Sequence, residues 1–282
     1  MIEQLFRKAM ADKGIETKDT IICDMRLHRF YIDGDKVGSK NGWYIVYPNR
    51  PVMGVLGSWK TGEKHVWCIE DDKSALSPKD RVQYSMRLKK MQRLRADELR
   101  QKQNEAAANA QRLWHSLPEQ DNNHPYLQKK NVKSHGLRRG DDTLVIPLRN
   151  ISGKITSLQF IKACGEKRFL SGGQKRGCFF GIGATTPTIC IAEGYATAAS
   201  IHQETGHCTI VAFDAYSLLA VAREIRKKHP RHKLVICADN DSHLTPNIGV
   251  EKAKEAAECV QGYLAVPPCH GDFNDYYNGG KS

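Results

Sequence analysis

Residues 188–241 read TICIAEGYATAASIHQETGHCTIVAFDAYSLLAVAREIRKKHPRHKLVICADND. Three short apolar runs, TICIA, CTIVAF and KLVICA, are rich in Ile, Val, Cys and Thr and carry almost no polar alternation. That is how strands covered on both faces read. Between them lie YATAASIHQET and SLLAVAREIRKKH, with the spacing of amphipathic helices. The pattern continues through IGVEKAKEAAECVQG, read as a helix, and YLAVPP, read as a fourth strand. Strands alternating with helices predict a parallel α/β sheet with right-handed crossovers.

In such a sheet a ligand sits beyond the carboxyl ends of the strands. The residues standing there are acids. The first strand runs into Glu193-Gly194, the second into Asp214, and the third into Asp239-Asn240-Asp241. The fourth is followed by Gly271-Asp272-Phe273-Asn274-Asp275. Gathered carboxylates repel one another unless a cation neutralises them. Hard oxygen ligands suit Mg²⁺ or Mn²⁺, which keep waters and take phosphate oxygens as further ligands. Where the chain leaves a strand extended, residues two apart share a side, so Asp239 and Asp241 are predicted to face one metal site, with Glu193 opposite. A lone Asp after a strand is more commonly a helix cap. The ordered combination of Glu-Gly, two further strands and Asp-x-Asp is what carries weight.

The rest of the chain fits a polyanionic partner. Lys and Arg number 43 against 31 Asp and Glu, a net charge of +12 in 282 residues. This favours nucleic acid as a partner. No apolar run approaches the roughly 20 residues of a membrane span, and the charged start MIEQLFRKAMADKGIE does not resemble a secretory signal. The expected location is cytoplasmic, without a membrane partner. The nine cysteines form no Cys-x-x-Cys pair and read as free thiols of a reducing compartment.

Residues 1–76 read as a small β-rich module behind one helix. HRFYIDGDKVGSKNGWYIVYP suggests strands broken at Asp33-Gly34-Asp35 and by a loop at Asn41-Gly42, and VMGVLGSWKTGEKHVWCIE continues the pattern. Cys23 with His28, and His65 with Cys68, have spacings open to zinc, but their surroundings favour packed thiols and hydrogen-bonded histidines. Trp43, Trp59 and Trp67 are expected in the core of this module, with base stacking as the alternative. Residues 77–117 open on Ser77-Pro78, a helix start, and contain no internal Gly or Pro. They read as one long basic helix, or two in tandem, serving as a linker or contacting nucleic acid. Residues 118–186 form a basic α+β subdomain. Its LVIPLRN and ITSLQFI form a hairpin, and the loop GEKRFLSGGQKRGCFFGIG follows. The α/β domain occupies 187–282.

The segments IAEGYATA (191–198), ICADND (236–241) and GDFND (271–275) resemble the Toprim domain, shared by bacterial-type primases, type IA and type II topoisomerases and some nucleases. The preceding LVIPLRNISGKITSLQF, KRFLS and KRGCFFG resemble the basic subdomain ahead of Toprim in DnaG-type primases, and HPYLQKKNV (124–132) resembles its opening. The likeness covers residues 118–282. More loosely, the amino-terminal module resembles the front end of phage- and plasmid-encoded Toprim proteins.

This resemblance implies an enzyme that makes short RNA primers on single-stranded DNA from nucleoside triphosphates. Glu193, Asp239 and Asp241 would be catalytic and would hold Mg²⁺ or Mn²⁺ with Asp272. Arg149, Lys167, Arg168, Lys175 and Arg176 would contact template or triphosphate. A replicative helicase or a replication initiator would be a further partner. The chain departs from replicative primases in lacking a recognisable zinc ribbon, in ending soon after Toprim, and in carrying Thr197 where a second acid often follows the glutamate. It could be the front of a longer primase–helicase. The competing expectations are a Toprim-type metal-dependent nuclease and a non-catalytic DNA-binding accessory protein of a mobile element.

Overall fold

The computed structural model describes residues 1–35, 37–69, 77–241 and 247–279. The chain divides into two compact units, residues 1–99 and 100–282. In the first, helix α1 (Ile2–Ala11) precedes strands β1 (His28–Phe30), β2 (Gly42–Tyr47), β3 (Met53–Ser58) and β4 (Lys64–Cys68). They pair as an antiparallel sheet in the order β1-β2-β3-β4. Glu70, at the end of the sequence-read strand, lies outside the described residues. Asn41-Gly42 is not a loop, since Gly42 already pairs with Phe30.

Both faces of this sheet are covered. Tyr44, Val46 and Leu56 pack with Phe6 and Met10 of α1. Trp43, Ile45, Tyr47 and Val55 point the other way, onto Tyr84, Leu88 and Met91. Those three belong to helix α2 (Pro78–Ser116). Its start follows the expected chemistry. Ser77 Oγ accepts the Asp80 amide at 3.2 Å and donates to the Asp80 carboxylate at 2.8 Å, leaving fewer amides of the first turn unpaired. The Arg95 guanidinium lies 3.8 Å from the Trp43 ring centre, a desolvated cation–π contact. Trp43 is fully buried, Trp59 tilts against it, and Trp67 packs edge-on to Phe6, so the tryptophans build the core. His28 bonds Asp24 at 2.7 Å and stacks on Tyr44.

The second unit begins inside α2, where Ala110 and Trp114 pack on Val145, Ile155 and Leu158. After α3 (Pro125–Lys130), strands β5 (Arg138–Gly140), β6 (Thr143–Arg149), β7 (Ile155–Lys162) and β8 (Lys167–Phe169) form an antiparallel sheet in sequence order. The β6–β7 hairpin is the one expected from sequence. A second sheet contains β9 (Phe180–Ile182), β10 (Thr188–Ala192), β11 (Cys208–Val211), β12 (Lys233–Cys237) and β13 (Tyr263–Ala265), ordered β13-β12-β10-β11-β9. Four strands are parallel and β9 closes one edge antiparallel. The crossovers are α4 (Tyr195–Thr205), α5 (Ala215–Lys228) and α6 (Ile248–Cys259), and α7 (Phe273–Gly279) packs on α4. One face of the sheet buries Ile189, Ile191, Ile210, Leu234 and Ile236 against α5 and α6. The other buries Cys190, Ala192, Val211 and Cys237 against α4. Among the described residues no helix is long and apolar enough to cross a membrane.

The sequence predicts a loop over 165–183, yet this run holds β8 and β9. Three-residue strands show no usable periodicity, and β9 gains its structure only by pairing with β11.

Gly57 marks the tightest approach in the first sheet. A Cβ there would strike the Glu63 carbonyl oxygen and reach within 2.6 Å of the Trp43 ring. Gly57→Ala is expected to destabilise the first unit by about 1–3 kcal/mol through overpacking. Urea unfolding followed by tryptophan fluorescence measures it, and an unchanged midpoint would mean the sheet relaxes freely around the added methyl.

Candidate active site

Ala192 of β10 stands opposite Cys237 of β12 in the parallel ladder. One residue past Ala192 comes Glu193, and two past Cys237 comes Asp239, so backbone register alone delivers both carboxylates to one crevice. Gly194 caps α4 in extended conformation and turns the chain away. The start of α6 closes over the acids. A Cβ on Gly249 would lie 2.6 Å from the Asp239 carbonyl oxygen and 3.4 Å from Glu193 Oε1. A side chain at that position would displace one or the other.

Glu193 Oε1 and Asp239 Oδ1 are sealed from solvent and accept no hydrogen bond among the described residues. Burial pushes the Glu193 carboxyl up to about 8, helped by the negative charges of Asp239, Asp214 and Asp241. Asp239 is pushed up to about 7, again mainly by burial, with Asp272, Asp241 and Asp275 adding repulsion. Lys167 opposes both shifts. Its Nζ lies 3.7 Å from where a Cβ on Gly194 would sit, so β8 carries a cation to the mouth of the crevice.

The neighbouring acids hold local structure. Asp214 caps α5, its Oδ1 accepting the Ser217 amide at 2.8 Å. Asp272 Oδ1 accepts the amides of Asn274 and Asp275 at the start of α7, and its Oδ2 accepts from Thr197 Oγ1 at 2.9 Å. Thr197 thus joins α4 to the Asp272 carboxylate. Asn240 pairs its backbone with Gly271 in both directions, which ties the Asp239–Asp241 turn to this same segment. Asp275 meets Lys130 at 3.3 Å. Sequence reading finds these acids but not their capping duties, which depend on where each helix begins.

Two carboxylate oxygens left without donors in a buried, acid-rich crevice fit a hard divalent cation. Among the described residues no three His, Cys, Asp or Glu side chains form a ready cage. Among the described residues neither the four carboxylates Glu193, Asp239, Asp241 and Asp272 nor three of them are gathered into one shell, and Asp272 is also engaged by Thr197 and helix amides. An open site of few carboxylates is what Mg²⁺ commonly uses, with substrate phosphates completing its shell.

The basic residues divide. Lys175 lies 4.5 Å over the Phe169 ring, and Phe169 meets Phe213 edge-on at 6.0 Å. Phe213 has φ of 76° and donates its amide to the Glu193 carbonyl. A cation–aromatic stack thus links the Gly-rich loop to the end of β11, a feature no sequence motif announces. Arg176 lines a cavity of about 530 Å³ with Tyr216, Arg223 and Lys227. Arg168 is exposed and paired with Glu166 at 2.6 Å. Arg149 is turned back onto its own hairpin, donating to the Gly153 carbonyl and facing the Trp114 ring.

A parallel sheet whose strand ends present Glu-Gly and Asp-x-Asp defines the class, and residues 188–281 match the family model for the Toprim domain. Two proteins of Escherichia coli named DNA primase TraC are each 32% identical to this chain, one over 280 residues (93% of this chain, 19% of that protein). The other match runs over 259 residues (87% of this chain, 24% of that protein). The chain thus spans about a fifth to a quarter of the curated relatives it matches. Weaker likenesses extend to solved structures. The DnaG primase catalytic domain bound to ssDNA is 12% identical, with TM-score 0.43 over 65% of this chain and 78% of that one. The primase fragment of the bacteriophage T7 primase-helicase is 15% identical, with TM-score 0.40 over 55% of this chain and 65% of that one.

Both raised carboxyls resist ionisation in the folded chain. The stability tied to their protonated form is fully present below the ordinary carboxylate range near pH 4. It is lost as pH rises through about 7 for Asp239 and about 8 for Glu193. Glu193→Gln and Asp239→Asn are therefore expected to melt higher than wild type in chelator at pH 8–9, with the gain shrinking towards pH 5. The gain should be at most on the order of a few kcal/mol. Melting curves across this range with EDTA test it, and a gain independent of pH would show that the carboxyls are not strained.

Proposed function

We propose that this chain makes short RNA primers on single-stranded DNA by nucleotidyl transfer at the β10–β12 crevice. The observation that carries the reading is the pair of buried carboxylate oxygens that accept no hydrogen bond among the described residues, Glu193 Oε1 and Asp239 Oδ1, in a Toprim domain whose curated relatives are named DNA primases. Glu193, Asp239 and Asp241 would hold Mg²⁺ or Mn²⁺, which supplies positive charge against the triphosphate and lowers the cost of the negative charge that develops on it.

The chain's own residues account for the rest. The 3′-hydroxyl oxygen of one nucleotide forms the new bond to the α-phosphorus of the next, and the bond from that phosphorus to pyrophosphate breaks. The hydroxyl proton passes to water; in the alternative arrangement, where Glu193 does not hold the metal, its carboxylate takes that proton. Lys167, beside Gly194, offers its ammonium to phosphate oxygens at the crevice mouth. Lys175, Arg176 and Arg168 extend that positive edge toward template and triphosphate. Asp272 acts through Thr197 and the α7 amides, as a positioning residue for the Asp239–Asp241 turn.

Primer synthesis on mixed-sequence single-stranded DNA with labelled nucleoside triphosphates and Mg²⁺ or Mn²⁺ tests this. Wild type is expected to give short labelled products, and Asp239→Ala is expected to lose them by at least about 100-fold, the scale set by removing one electrostatic partner of a transition state. Metal-dependent loss of the DNA without synthesis would assign the same acids to a nuclease. Binding without any chemistry would assign the chain to an accessory role.

A further inference from the structure

The amino-terminal unit carries a groove of about 730 Å³ that the primer-synthesis reading does not use. One wall is a stripe of α2. Met86, Lys89, Lys90 and Arg93 are spaced three and four apart and so share a helical face. The buried stripe of the same stretch is Tyr84, Leu88 and Met91, so the two stripes look in different directions. Met25 and Tyr47 also line it.

The groove's construction is specific. The Arg87 guanidinium donates to the backbone carbonyls of Asn49 and Pro51 at 2.9 and 2.7 Å and lies 5.4 Å over the Tyr47 ring. It clamps the helix against the β2–β3 turn. On the other side the Met25 amide donates to the Val46 carbonyl at 3.1 Å, holding that segment at the rim. Tyr47 is 3% exposed, and its hydroxyl has no hydrogen-bond partner among the described residues. Met86 is 65% exposed and Met25 45%. Among the described residues, cations line the groove and no carboxylate does.

Exposed methionines beside a one-sided positive wall match one kind of polymer. Phosphates need the cations, and unpaired bases need exposed apolar surface such as Met25 and Met86. We propose that this groove binds single-stranded nucleic acid, as a second site separate from the Toprim crevice. The methionine side chains give a sequence-tolerant surface, since a flexible thioether adapts to any base face. The cations track the backbone and make the binding salt-sensitive. A duplex presents no free base face to such a surface, and an acidic peptide does not use it.

The test uses the full chain and a fluorescein-labelled oligothymidylate, read by anisotropy over a salt series. The charge reversal Lys89→Glu/Lys90→Glu/Arg93→Glu is expected to weaken binding at least about tenfold. Its plot of log affinity against log salt should be shallower by about 2, at ~0.7 for each single-strand phosphate that is no longer neutralised. Met86→Glu, a single exposed change, should weaken binding with the same thermal melt as wild type, which keeps the test valid if the triple variant folds poorly. Photo-crosslinking with a 4-thiothymidine oligomer should label peptides containing Met25 or Met86. Unchanged affinity and salt slope in both variants, with crosslinks confined to residues 100–282, overturns the proposal. So does loss of polyglutamate or phosphatidylserine-vesicle binding in the triple variant while oligothymidylate binding stays intact. Because binding is read without nucleoside triphosphates, a chain that makes no primers can still pass, and an active chain can still fail.

Discussion

The hydrogen-bonded register between β10 and β12 is the constraint on which the carboxyl-terminal unit depends. A parallel ladder with both faces buried has no tolerance for slip, because a shift by one residue would exchange the side chains facing α4 with those facing α5 and α6. Ile191 and Ile236 are held on one side, Ala192 and Cys237 on the other. With Ala192 fixed opposite Cys237, Glu193 and Asp239 have nowhere to go but the same dry crevice. Their mutual repulsion is imposed by the core and concentrated at the strand ends.

Charge is distributed accordingly. The chain is strongly basic as a whole, yet the ends of the parallel strands are acidic. Positive residues elsewhere favour a polyanionic partner, while the acids of the crevice repel negative charge. Lys167 sits at the boundary between these regimes. It lies close enough to lower the proton affinity of both buried acids, yet on a different sheet from either.

The parallel sheet is legible in the sequence because its strands are unbroken apolar runs and α5 and α6 have amphipathic spacing, whereas α4 is buried continuously from residue 195 to 201. The acids are legible for the same reason, since strand ends announce where they fall. What escapes is everything set by long-range approach. Phe180–Ile182 is a strand only because β11 offers it an edge. Phe213 and Phe169 are far apart in sequence and meet only when the two sheets of this unit come together. Asp214 and Asp272 look equivalent to Asp239 as acids after strands. They differ because helices begin right behind them and claim their oxygens, whereas no described residue donates to Asp239 Oδ1.

Helix α2 shows why composition can mislead. Arg, Lys, Gln and Glu dominate it, which reads as a solvated linker. Yet Tyr84, Leu88 and Met91 fill the core of one unit, and Ala110 with Trp114 fills that of the other. Each buried stripe is narrow, and few apolar residues suffice when the covering sheet supplies large ones such as Trp43 and Tyr47. The helix can therefore carry a dense positive face at Lys89, Lys90 and Arg93 without weakening its own packing, because that face is not what holds it in place. Residues excused from the core in this way are free to be selected for what they bind.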